Sequence, residues 1–172
     1  SRLGGRSHCS PWLYGLYVVE GLTLNLKTGK AKEPNIKHLI TKKSNFIYDK
    51  AADCPTWKTF LMQIFAKDMQ LFRFIQKACG YALSGDVSEQ CLFILWGTGA
   101  NGKSTFLNVL LHLFGDYGCS TGIETFTKKN KEQSNDLARL KGSRLVTTSE
   151  IEQGIPMSES LIKSVTGQGK RM

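Results

Sequence analysis

The chain has 172 residues, 41% of them hydrophobic and 22% charged, which is enough for one good core and excludes both a disordered tail and a membrane protein. No apolar run approaches the ~20 residues of a membrane helix, and the opening stretch SRLGGRSHCSPWLYGLYVVEG is too polar for a secretory signal and lacks a Met start, so it reads as the edge of a longer chain. Lys and Arg number 23 against 14 Asp and Glu, and the formal charge of +9 points to a polyanionic partner, nucleic acid foremost.

Residues 1–52 read as a β-rich N-terminal segment. Leu22, Leu24 and Leu26 alternate and are followed by Thr28-Gly29-Lys30, the pattern of a hairpin. Lys27, Lys30, Lys32, Lys37, Lys42 and Lys43 crowd the same segment, as they would on a phosphate-facing surface or simply a solvated one. Residues 53–88 read as a small helical domain entered at Asp53-Cys54-Pro55-Thr56, with Thr56 as N-cap. There Phe60, Leu61, Ile64 and Phe65, then Leu71, Phe72, Ile75 and Ala78, recur near the helical period, with a break at Lys67-Asp68 and an end at Ser84-Gly85-Asp86. That period makes the aromatics core residues rather than a base-stacking platform. Cys9, Cys54, Cys79, Cys91 and Cys119 are odd in number and form no C-x-x-C pair, which predicts reduced, mostly buried thiols in a cytosolic protein and no metal or disulfide framework.

Residues 89–172 carry the chemistry. Cys91 to Trp96 is a continuous apolar run, expected as a central parallel strand buried on both faces. It leads into Gly97-Thr98-Gly99-Ala100-Asn101-Gly102-Lys103-Ser104, the spacing G-x-x-x-x-G-K-S of a phosphate-binding loop, followed by Thr105. Chance matches to that octet are on the order of one per cent in a chain of this size. Glycines let successive N–H groups turn towards an anion at the head of the next helix, Lys103 reaches the terminal phosphates, and Ser104 offers its hydroxyl to Mg²⁺. A helix from Lys103 to Phe114 follows, with Phe106, Leu107, Leu110, Leu111 and Phe114 on one side. NDLARLKG reads as a short helix ending near Gly142, and SRLVTTSE as a second strand. That strand would carry Glu150 and Glu152 to the ligand-binding edge of the sheet, Glu150 as the metal-side acid and Glu152 as a second carboxylate that orients water. The alternation of strands and helices gives an α/β class with a P-loop parallel-sheet core, preceded by the small, mainly helical domain and the hairpin-like segment.

The blocks DCPTWKTFLMQIF, LFRFIQKACGYALSGDVSEQCLFILWGTGANGKSTFLNVLLHLFGDY, NDLARLKGSRLVTTSEIEQG and SESLIKSVTGQG together resemble the phage and plasmid primase–helicase family. Its members are related to a poxvirus primase–helicase and carry a superfamily 3 helicase core; the resemblance runs from about residue 20 to 172. It implies an AAA+-like ATPase motor, a hexameric homo-oligomer that encircles DNA, ATP and Mg²⁺ as ligands, and a phage or prophage protein of the bacterial cytoplasm. Lys103 and Ser104 fall on the family's first motif, and Glu150 and Glu152 on its acidic second. LIKSVTGQGKRM falls on the start of the third, a DNA-contacting hairpin region to which Lys163, Lys170 and Arg171 would contribute single-stranded DNA contacts. Gln168 to Met172 depart from the family's usual Asp-containing run, and the sensor asparagine and arginine finger would lie further on, as in a fragment of a longer protein. Two other readings fit the same loop: a non-catalytic, nucleotide-dependent DNA-binding or assembly module, and a small-metabolite kinase.

Overall fold

The computed structural model describes residues 15–127, 133–148 and 156–167. An antiparallel meander opens it: β1 (Leu16–Val19), β2 (Leu22–Asn25) and β3 (Lys30–Lys32), in the order β1-β2-β3. Tyr17 lies opposite Leu24 and Leu24 opposite Ala31, so Tyr17, Val19, Leu22 and Leu24 share the face that packs on the core. The hairpin expected from the leucine alternation is therefore present, with a further strand ahead of it.

Two helices follow. In α1 (Pro55–Ile64) the cap is Cys54, with Pro55 in the first helical position, rather than Thr56. Proline's fixed φ suits the first turn, so the chain turns helical two residues early. Lys58 bonds back to Asp53 and holds that carboxyl below the usual range. Ala66 and Lys67 take positive φ, and Asp68 then caps α2 (Met69–Ser84) by accepting from the N–H groups of Gln70 and Leu71 at 2.8 and 3.0 Å. Gly85 ends α2 in the left-handed region, so the break and the stop fall where the sequence puts them.

The last part comprises α3 (Lys103–Phe114), β4 (Gly118–Thr121), α4 (Gln133–Leu140), β5 (Leu145–Thr148) and α5 (Glu159–Val165), with β4 and β5 paired in parallel. The architecture is thus mixed α/β with a small parallel sheet. The run Cys91–Trp96 departs from expectation: it belongs to no strand, Ile94 is 76% and Trp96 87% exposed, and only Leu95 packs against the core. A strand buried on both faces needs a neighbour on each side and a cover above and below, and among the described residues the parallel sheet has two strands.

Two clusters share Leu145. One gathers Tyr17, Val19, Phe114 and Tyr117 between the meander and the C-terminal end of α3. The other gathers Leu61, Phe106 and Leu110 between α1, α2 and α3, with Phe60, Phe65, Phe72 and Ile75 around them. The aromatics called core by their period are there, whereas Leu71 stays 38% exposed. No helix among the described residues is long and apolar enough to cross a membrane. Of the described thiols, Cys54 and Cys91 are exposed and Cys79 and Cys119 half-buried, all free; the expected general burial fails because Cys54 sits in a helix cap and Cys91 in the unpaired run.

Candidate functional site

The glycine-studded octet joins the apolar run to α3. Gly102 stands at the helix cap with φ 80°, the left-handed region, and its carbonyl accepts from Phe106 N–H at 2.9 Å. A Cβ there would lie 2.8 Å from Ile64 Cγ2 and 3.1 Å from the Phe60 ring, so backbone conformation and the close approach of α1 both demand glycine. At Gly97 a side chain would strike the Asn101 amide, so the loop is curled tightly over its own first residue.

That curl places the lysine. Lys103 Nζ donates to the Gly97 carbonyl at 3.1 Å and to Asn101 Oδ1 at 2.9 Å, so the half-buried ammonium sits within the loop instead of extending into solvent. Ser104 and Thr105, in the first turn of α3, are exposed, and no side chain caps that end of the helix. Gly99, Ala100, Asn101, Gly102, Lys103, Ser104 and Thr105 line one side of a cleft of about 690 Å³, and Phe60, Gln63 and Ile64 of α1 line the other. The volume is that of a small-molecule site. A loop of backbone N–H groups, an ammonium on two exchangeable acceptors and two open hydroxyls make a fitting seat for phosphate. Gly97 touches the seat through Lys103; Thr98 is exposed.

A metal would find Ser104 here; among the described residues no group of three or more His, Cys, Asp or Glu forms a metal site. Glu150 and Glu152 lie outside the described residues, two and four positions beyond the last described residue of β5, as do Lys170 and Arg171. Lys163 is described, but on the helix α5 rather than in a hairpin. Its ammonium lies 3.9 Å from Glu159 one turn earlier, a solvent-exposed pair of a few tenths of a kcal/mol. ESLIKSV contains no glycine or proline to break a helix, and the turn comes only at Gly167.

Phe60, Gln63 and Ile64 are the site residues that the sequence hides. Their spacing reports a helix with an apolar face, and nothing in it says that the last turn of that face meets a loop forty residues on.

Comparison with known proteins adds two observations. Residues 14–66, the meander and all of α1 included, match the family described as "D5 N terminal like". Over 103 residues the chain is 30% identical to "Putative helicase L207/L206" of Acanthamoeba polyphaga mimivirus, a stretch covering 58% of this chain. The chain spans about a tenth of that relative, 11% of its length. Similarity to a protein named a helicase and to a D5-type N-terminal region agrees with the family resemblance drawn from the sequence blocks.

Proposed function

We propose that this chain is the ATP-binding and hydrolysing part of a DNA replication helicase of superfamily 3 type, within a primase–helicase that works as a homo-oligomeric ring on single-stranded DNA. One observation carries the reading: the G-x-x-x-x-G-K-S loop opens directly onto α3 and lines a cleft together with Lys103, Ser104 and Thr105. In this reading Gly97, Thr98, Gly99, Ala100, Asn101 and Gly102 wrap the phosphates, and Lys103 leaves its two loop acceptors for phosphate oxygens. Ser104 and Glu150 would hold Mg²⁺, which would supply neutralisation of phosphate charge. Water attacks the γ-phosphorus while the bond to the bridging oxygen breaks, and the proton of the water passes to the carboxylate pair Glu150 and Glu152. Lys163, Lys170 and Arg171 take DNA phosphates without reading bases, so binding falls steeply with salt.

The test is ATP retention and turnover by the full-length primase–helicase that contains this chain, with and without single-stranded DNA, beside Lys103→Ala. Binding lost in the variant with an unchanged melting temperature, and turnover that responds to DNA, are the expected results. Wild-type protein that does not retain ATP would remove the reading. Retention without turnover selects the assembly module, and turnover indifferent to DNA selects the kinase.

A further inference from the structure

The phosphate seat is only half of the cleft. Its other wall is the last turn of α1, where Phe60 presents a half-buried ring, Ile64 an aliphatic surface and Gln63 an exposed amide. Phosphate alone has no use for such a wall. The Phe60 ring is also fixed before any ligand arrives: it stacks on Trp57 with centroids 5.4 Å apart and planes at 26°, and Trp57 stacks on Phe106 at 5.8 Å and 7°. Phe106 is a buried anchor of α3 itself, so a ladder of three rings ties the α1 wall to the helix that opens from the phosphate loop. An aromatic face held in place binds a flat π-system with little ordering cost.

We propose that the last turn of α1 is the base-recognition wall of this cleft, with Phe60 and Ile64 against the face of a purine and the Gln63 amide on its edge. The proposal rests on the nucleotide reading above and extends it to residues outside the phosphate motif. A glutamine amide both donates and accepts, which matches N7 and the N6 amino group on the N7 edge of adenine; on that edge guanine offers two acceptors, N7 and O6, and leaves the amide oxygen unpaired. The wall therefore favours adenine.

Calorimetric titration of the full chain with ATP, GTP and inorganic tripolyphosphate separates base from phosphate. Wild-type protein is expected to bind ATP at least about tenfold tighter than tripolyphosphate, the scale of one base–aromatic stack, and tighter than GTP. Gln63→Ala and Phe60→Leu should each weaken ATP by about fivefold to tenfold and leave tripolyphosphate unchanged, with Gln63→Ala also erasing the preference over GTP. Gln63 is exposed, so its removal does not threaten the fold. Equal affinity of the wild type for ATP and tripolyphosphate, or variants that weaken both alike, would overturn the base wall while leaving the phosphate loop standing. Failure of the wild type to bind any of the three, with Lys103→Ala indistinguishable from it, would overturn the phosphate loop and the wall together.

Discussion

The C-terminal end of α3 is anchored in the core through Phe114, whereas its N-terminal end is left open. Phe114 is 0% exposed and packs with Tyr17, Val19 and Tyr117, and the carbonyl beside it, of Leu113, accepts from Tyr17 Oη at 2.7 Å and Ser44 Oγ at 2.5 Å. Tyr117 Oη donates to the Lys42 carbonyl at 2.7 Å. Arg144 completes the enclosure, donating to the carbonyls of Leu83 and Leu16 at 2.6 Å each while its guanidinium lies 4.5 Å from the centre of the Tyr117 ring. Eleven residues before Phe114 the helix starts with no side-chain cap, two exposed hydroxyls and a lysine bonded to its own loop. One helix thus has an end saturated with protein partners and an end whose polar groups remain available. Anchorage and the proposed binding site are separated along a single rod.

The comparison breaks most visibly at Phe114. Phe114→Ala removes a fully buried ring at the saturated end and should cost about 3–5 kcal/mol, read as a lower urea midpoint at unchanged slope. A loss below about 1 kcal/mol would mean that this end is not the anchor. Arg144→Met keeps much of the stem and leaves the Leu83 and Leu16 carbonyls without this donor; roughly 2–3 kcal/mol should go, with ATP affinity unaffected once the protein is folded. A change in affinity without a change in melting would place Arg144 in the site instead.

Alkaline titration probes the same end. Burial raises the pKa of both Tyr17 and Tyr117 above 10.0, their ordinary value. The folded state then holds these protons longer than the unfolded one, so their contribution is whole below pH 10 and is lost as pH climbs through the folded-state values. Chemical denaturation at pH 8, 10 and 11 should show stability falling above pH 10, and the fall should be shallower in Tyr17→Phe, where Ser44 Oγ still serves the Leu113 carbonyl. A profile flat to pH 11 would show that the rings are not enclosed.

The smallest effect is expected beside the open end. Ile94→Ser and Trp96→Ser should each change stability by no more than about 0.5 kcal/mol, because both side chains are exposed. A cost of 2 kcal/mol or more would mean that the run is buried as a central strand, as its composition predicts.

Much of this was legible in the residues. Lys103 and Phe114 bound α3 as read, because Gly102 and Gly115 flank a run in which Phe106, Leu110 and Phe114 repeat at helical spacing and are the buried positions. The turn ahead of α3 was legible because Gly99 and Gly102, both at positive φ, are a backbone requirement written directly in the chain. Cys91–Trp96 was misread because burial of an apolar run belongs to the sheet around it, and that sheet is not specified by the run. The strands Leu16–Val19 and Gly118–Thr121 escaped notice because neither Leu-Tyr-Val-Val nor Gly-Cys-Ser-Thr alternates apolar with polar residues. Arg144 looked like one basic residue among many.

By itself the sequence determined the local events: where α2 and α3 start and stop, which faces of the helices are apolar, and that a glycine-rich loop precedes α3. These follow from capping, period and glycine conformation, which act over a few residues. Only the tertiary structure decided that the last turn of α1 lies against that loop, that the Asn101 amide and the Gly97 carbonyl hold Lys103, and that Arg144 joins β1, α2 and Tyr117. These are contacts between segments tens of residues apart, set by which apolar faces can be buried together, and no local pattern encodes the partner of a face.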